Sequence, residues 1–268
     1  MSKLSFISDA DFKKHIELTI KQYGEKLTPY DLKKFNSNIV DPIKLIFDKN
    51  VYGYSWEEII NNEIFRQRDK SANNDIGYFH QRIFQYLANC TVPQEGWDVI
   101  FSKENGITLP DGDRVKTVYC ELKNKHNTMN SASSAKTYMS MQAQLLRDDD
   151  CACFLVEVIA KRSQNITWIV TVDKKSQKHR RIRRVSVDEF YSLVTGQPNA
   201  FCDMCMALPE VIQEVVSESL HEAIPNDTVI SELKEMATTK NGSFYLALYL
   251  LGFRSYHGFD EKGQVKFK

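Results

Sequence analysis

Asp98, Glu121 and Lys123 are the residues of this chain whose types and spacing best suit chemistry. Side chains alternate along an extended segment, so Glu121 and Lys123 point to one face, about 7 Å apart. Asp98 lies in Gly96-Trp-Asp-Val-Ile-Phe101, which reads as a neighbouring strand. If the two strands pair as a hairpin, the Asp98 and Glu121 carboxylates converge at the strand ends. Two carboxylates offer the hard oxygen ligands that Mg2+ takes while it keeps waters and phosphate oxygens. A lysine ammonium beside such a site can hold an attacking water and stabilise charge on phosphorus. Hydrolysis of a phosphodiester is the reaction this set suits.

A sheet must hold these residues, and the pattern supplies one. The first 95 residues read as helical. Residues 9–23 carry Phe12, Ile16, Ile20 and Tyr23 at helical spacing, with Ser8 or Asp9 as N-cap. A second helix includes residues 42–48. Residues 56–68 repeat Trp56, Ile59, Ile60 and Ile64 behind a Ser55-x-x-Glu58 capping box. Residues 76–90 carry Ile76, Phe79, Ile83, Phe84 and Leu87 on one stripe. The texture changes at residue 96. Strands are predicted over 96–101, 114–123, 151–160, 166–172 and near 182–187, with turns at Asn105-Gly106 and Pro110-Asp-Gly-Asp113. A helix over 131–147 separates the second strand from the third, the pattern of a βαβ crossover. Helices return over 187–194, around 209–221 and over 231–251, with Gly252 as a stop. The expected fold is α/β, a mixed central β-sheet flanked by helices with helical N- and C-terminal additions. It is expected to be a single domain over 1–268, with a helical N-terminal region (1–95), an α/β core (96–187) and a helical C-terminal region (188–268).

Composition narrows the function classes. Apolar residues make up 42% and charged residues 26% of the chain, a globular balance that excludes disorder, collagen and coiled coil. No apolar run approaches the ~20 residues of a membrane helix, and Glu157 interrupts the longest one. No apolar signal region precedes Asp9, Asp11, Lys13 and Lys14. The expectation is a soluble, cytoplasmic protein whose six cysteines are reduced. Cys151-x-Cys153 and Cys202-x-x-Cys205 would suit zinc in short loops, but their apolar surroundings point to buried thiols. There is no GxGxxG turn, P-loop or Gly-x-Ser-x-Gly elbow.

Net charge is zero, 35 against 35, which argues against a bulk polyanion binder. The average hides an asymmetry. Between residues 161 and 184 nine Lys or Arg face one acid, Asp173, whereas from 185 onward six face twelve. A focused basic cluster in a neutral chain suggests one anionic contact.

Asp98 followed by Glu121-x-Lys123 on a strand pair, then a helix and another strand, resembles the PD-(D/E)XK nuclease superfamily. The proline of that pattern is replaced by Trp97. Longer words carry a closer resemblance, to type II restriction endonucleases of the group that cuts GGNCC. They are Asn73-Asn-Asp-Ile-Gly-Tyr-Phe-His-Gln81, Gly96-Trp-Asp98 and Glu121-Leu-Lys-Asn-Lys-His-Asn-Thr-Met-Asn130. The resemblance implies a restriction-endonuclease-like core and a Mg2+-dependent homodimer acting on double-stranded DNA. A cognate DNA methyltransferase would act on the same site. Asp98 and Glu121 would bind the metal, Lys123 would position water, and Gln81 resembles an auxiliary position on the preceding helix. Glu63 is a weaker candidate on another helix. Glu157, a carboxylate inside an apolar strand, is costly unless paired, and either faces the site or partners a basic group.

Asn124, Lys125, His126, Asn127 and Thr128 follow the Glu121–Lys123 strand, where amide, ammonium and hydroxyl donors suit phosphates. His126 could act as a base, but a phosphate or base contact is more economical. The Ser-rich start of the helix at 131 could add N–H donors. Lys174, Lys175, Lys178, Arg180, Arg181, Arg183 and Arg184 form the best DNA-reading candidate, because Arg meets guanine bidentately. If that segment is extended, Arg181 and Arg183 share one face, and Arg180, Ile182 and Arg184 the other. Two alternatives stay open: a repair nuclease or junction resolvase of the same superfamily, and a DNA-binding module without catalysis.

Overall fold

The computed structural model describes residues 3–26, 28–218, 226–239 and 243–253. Its elements run α1 (Asp9–Lys26), α2 (Leu32–Asn36), α3 (Pro42–Tyr52), α4 (Trp56–Arg82), β1 (Cys90–Thr91), β2 (Val99–Thr108), β3 (Arg114–Lys125), α5 (Ser131–Arg147), β4 (Cys151–Ile159), β5 (Asn165–Val172), β6 (Lys175–Ser186), α6 (Val187–Thr195), α7 (Ala200–Glu218), α8 (Val229–Thr239) and α9 (Phe244–Phe253). The strands form one sheet in the order β1-β2-β3-β4-β6-β5. β1, β2 and β3 pair antiparallel, β3, β4 and β6 run parallel, and β5 returns antiparallel to β6. The expected mixed sheet and the β3–α5–β4 crossover are therefore present. No described helix is long and apolar enough to cross a membrane.

β4 explains the parallel centre. All but its last two residues are buried, because helices cover both of its faces. One face presents Ala152, Phe154 and Val156 to a core that includes Phe12, Phe84, Phe190 and Val215. The other presents Cys153 and Leu155 to Tyr138 and Met141 of α5, joined by Trp168 and Ile182.

The chain gathers into two compact units, Met1–Ile20 with Asp75–Leu220, and Lys21–Asn74 with His221–Lys268. The first holds the sheet. The second has its own core of Phe35, Leu45, Ile60, Ile64, Leu233 and Leu248. Both boundaries on the N-terminal side fall inside helices, α1 and α4, so no Pro/Gly-rich linker marks them in the sequence.

Several boundaries differ from the sequence reading, each for a local reason. The two helices expected over 56–68 and 76–90 are one, α4, because the polar stretch between them contains no Gly or Pro to break it. That helix ends at Arg82 in a short 3-10 turn, and Cys90–Thr91 pairs with β2 instead. Asn105-Gly106 is not a turn but a bulge within β2, where the β2–β3 register shifts between Ser102 and Ile107. β3 runs two residues past Lys123, so Asn124 and Lys125 lie on the strand. β6 begins at Lys175, which makes nearly the whole basic segment a strand. Its hairpin with β5 turns on Asp173 and Lys174, both at positive φ as a two-residue primed turn requires. α7 starts nine residues before Pro209, which sits inside it; the end expected at 221 lies outside the described residues. The helix expected over 231–251 is two, α8 and α9, with 240–242 outside the described residues. Gly252 does not stop a helix: α9 runs through it to Phe253, and a Cβ on Gly252 would lie 3.1 Å from the Pro42 ring.

The bulge at Gly106 depends on a missing side chain. Its φ is +78°, and a Cβ there would lie 2.8 Å from Arg114 Nε. Gly106→Ala is expected to lower the unfolding free energy by about 1–2 kcal/mol. Urea denaturation measures this; an unchanged midpoint would show that the bulge relaxes at no cost.

Candidate active site

Asp98 sits just before β2, and the backbone fixes its side chain. Its N–H donates to the Cys120 carbonyl at 3.0 Å. Its Oδ2 accepts from the Leu122 N–H at 2.7 Å. These two bonds straddle Glu121 and hold the Asp98 carboxylate against the backbone at that residue. Lys123 Nζ lies 2.6 Å from Glu121 Oε1. The structure thus brings Asp98, Glu121 and Lys123 together at the C-terminal end of β3. Gln81, at the end of α4, donates to the Asp98 carbonyl at 3.3 Å, so it holds the main chain and not the carboxylate. Burial raises the Asp98 carboxyl above its ordinary range, and the Glu121 charge adds to the rise; the Leu122 N–H and the Lys123 ammonium oppose it.

Next to this set on β4 is Glu157, 1% exposed. It stands opposite Lys123 in the parallel register. Its Oε1 makes a short contact with Arg184 Nη2 and lies 4.0 Å from His126 Nδ1. The same Arg184 nitrogen reaches His126 Nδ1 and the His126 carbonyl, each at 2.9 Å. The structure gives both readings of Glu157 a footing: it partners Arg184, and it lies beside Lys123 on the same face of the sheet. The partner comes from the segment expected to read DNA. The signal was present in the sequence, as a carboxylate inside an apolar strand, but its partner lies 27 residues away and could not be picked out.

The basic strand divides in two. Arg181 Nε meets Asp113 Oδ2 at 2.7 Å. Arg183 is 3% exposed, with its guanidinium on the Asn165 side chain and carbonyl and on the Arg180 carbonyl. Arg183 therefore braces β6 against β5 and does not reach outward, contrary to expectation; Arg184 likewise serves Glu157. Arg180 also touches Asp113, at 3.0 Å, yet stays 66% exposed. Lys174, Lys175 and Lys178 are exposed at the hairpin tip. Asp111 and Asp113, which turn chemistry alone seemed to explain, also receive this arginine row.

Among the residues after Lys123, Asn124 lies against α4, where a Cβ at Gly77 would be 3.4 Å from its Nδ2. Lys125, Asn127 and Thr128 are exposed, and the Thr128 hydroxyl donates to the Lys125 carbonyl at 2.8 Å. At the start of α5, Asn130 caps the Ser133 N–H at 2.8 Å. Glu63 is in the second unit, buried and bonded to Arg66 and Gln67. Cys151 and Cys153 are buried on the α5 side of β4, their thiols directed at α5 carbonyls. Cys202, expected to be buried, is exposed on α7. Among the described residues no group of three or more His, Cys, Asp or Glu is placed to hold a metal. Asp98 and Glu121 can offer two carboxylates, leaving other positions on a hard cation to water and phosphate oxygens.

Comparison with known proteins places these residues in a family. The family model of Eco47II restriction endonuclease matches residues 4–217. The chain is similar to the type II restriction enzyme Sau96I of Staphylococcus aureus, 26% identical over 246 residues that cover 89% of this chain and 90% of the relative. It is also similar to the type II restriction enzyme Eco47II of Escherichia coli, 28% identical over 231 residues that cover 82% of this chain and 91% of the relative.

Two predictions come from the site's electrostatics. A carboxyl whose folded pKa is raised favours folding at low pH and loses that contribution as pH rises through the folded value. Ionised Asp98 therefore costs stability at neutral pH. Asp98→Asn, which keeps an oxygen for the Leu122 N–H, is expected to raise the melting midpoint at pH 7 by about 1–2 °C. The gain should vanish near pH 4, and a fall at pH 7 would contradict the assignment. Arg184→Ala strands a buried carboxylate and is expected to cost about 3 kcal/mol, whereas Arg180→Ala costs less than about 0.5 kcal/mol. Equal losses in chemical denaturation would show that Glu157 does not depend on Arg184.

Proposed function

This chain belongs to the Eco47II restriction endonuclease family, and from that premise we propose that it hydrolyses double-stranded DNA at the palindrome GGNCC with Mg2+. It is a type II site-specific deoxyribonuclease. The observation that carries the mechanism is the convergence of Asp98, Glu121 and Lys123 at the end of β3, with the Asp98 carboxylate tied to the Leu122 N–H.

The donor set fits a hard divalent cation. Two carboxylates press on each other strongly enough to help raise Asp98, and positive charge between them relieves that repulsion. When bound, Mg2+ supplies Lewis-acid polarisation of the scissile phosphate and a more acidic water. Asp98 and Glu121 hold it. Lys123 orients the attacking water in line with the leaving oxygen and stabilises charge on phosphorus. The products carry 5′-phosphate and 3′-hydroxyl ends. Gln81 keeps the Asp98 main chain in place.

DNA contact is assigned to what the structure leaves outward. Lys174, Lys175 and Lys178 at the hairpin tip meet phosphates, and Arg180 is the arginine best exposed for a guanine edge. Lys125 and Asn127 offer donors beside the site, with Asn124 near the end of β3 and His126 and Thr128 shaping the turn that follows. A palindromic site calls for a two-fold homodimer, each copy reading one half-site. A cognate methyltransferase protects the same sequence.

Digestion of a plasmid of known sequence, with Mg2+ and with EDTA, tests this reading. Discrete Mg2+-dependent fragments mapping to GGNCC are expected. Lys123→Ala should cut at least ~100-fold more slowly while binding DNA as before. Fragments at another sequence would keep the chemistry and reject the site. Smearing would favour a repair nuclease. A salt-sensitive gel shift without cleavage would mean a binding module.

A further inference from the structure

The Lys123 ammonium occupies the carboxylate that a metal would need. It sits 2.6 Å from Glu121 Oε1, with both side chains part-exposed. A cation shared by Asp98 and Glu121 neutralises Glu121 and repels Lys123. The ammonium then needs another anionic partner, because leaving it without one at a half-buried site is costly. The sheet places one directly beside it. Lys123 pairs with Glu157 in the parallel β3–β4 register. Tyr119 and Leu155 pack together in the α5-side cluster, so by alternation Glu121, Lys123 and Glu157 continue that same face.

Glu157 also has capacity to spare. Arg184 and His126 are both at Oε1. Oε2 is fully buried and accepts no hydrogen bond among the described residues. Buried carboxylate oxygens are normally satisfied, because leaving one without a donor carries a desolvation penalty. A carboxylate oxygen buried without a donor, on the residue paired with Lys123 across the register, has room to accept one.

We propose that Glu157 is the positioning residue of this site: the Lys123 ammonium moves from Glu121 to Glu157 Oε2 when Asp98 and Glu121 take a divalent cation. Arg184 holds Glu157 in place through Oε1, with His126 beside the same oxygen. The move holds Lys123 near the reacting phosphate yet clear of the metal ligands. This inference rests on reading Asp98 and Glu121 as the metal pair.

Titration of the DNA-free protein with Mn2+ alone, followed by calorimetry, tests it. In the wild-type background Glu157→Gln should weaken Mn2+ about tenfold, because the displaced ammonium loses its anionic acceptor. In a Lys123→Met background there is no ammonium to displace, and Glu157→Gln should change Mn2+ affinity less than about twofold. Equal weakening in both backgrounds would reduce Glu157 to general electrostatics and overturn the proposal. No weakening in the wild-type background would overturn it as well. The metal pair itself fails by a different signature, with Mn2+ uptake absent or undiminished by Asp98→Asn, and the proposal falls with it. If Glu157→Gln melts too low to titrate, the Glu157→Gln/Arg184→Gln pair replaces the ion pair with amides and enters the same cycle.

Discussion

Two like charges held close in a half-buried place set the terms for the rest of this structure. The Asp98 carboxylate is anchored to the Leu122 N–H, at the backbone of Glu121, and both burial and Glu121 oppose its ionisation. Nothing local would keep such groups together. A solvated loop would let them separate. Here β3 is pinned on one side by β2 and on the other by β4, whose buried residues pack against helices on both faces. The stability of the apolar sheet holds an arrangement that electrostatics alone disfavours.

The same logic governs the positive charges. The basic segment was the best DNA-reading candidate in the sequence, yet only some of it remains outward. Nearly all of it enters the sheet as β6, and three arginines of its C-terminal half are consumed there. Arg181 reaches Asp113, Arg183 ties β6 to Asn165, and Arg184 secures Glu157. The acidic turn before β3 and the carboxylate in β4 are the counterparts that let a strongly cationic strand lie in a sheet. Lys174, Lys175 and Lys178 stay exposed towards the tip, and Arg180 stays exposed beside Asp113.

These two networks meet at His126. Its ring and carbonyl both receive Arg184, and its N–H donates to Ile159 at the end of β4 at 3.0 Å. The turn after the Glu121–Lys123 strand is therefore braced by the basic strand. A displacement of β6 on a nucleic acid would be felt at Glu157, one residue-to-residue step across the register from Lys123. The basic strand and the Asp98–Glu121–Lys123 cluster lie on one piece of sheet.

Much of this was legible in the sequence. Period-2 and period-3.6 patterning marked the strands, the crossover helix and the capping box at Ser55, because those signals are local. Asp98, Glu121 and Lys123 were legible because alternation sets Glu121 and Lys123 on one face whatever surrounds them. Helix limits were less so: residues 69–75 lack an apolar stripe, and only the absence of Gly or Pro there hints that α4 continues. Gly106 was read as a turn because a positive-φ glycine serves a bulge as readily. The partners of the arginines were out of reach, since Arg184 and Glu157 are neighbours only through the parallel β4–β6 register. Residue types and alternation, being properties of short segments, were enough to nominate the candidate site. Which charges stay outward and which are absorbed was decided by strand order, because ion pairs between distant segments exist only once the sheet has formed.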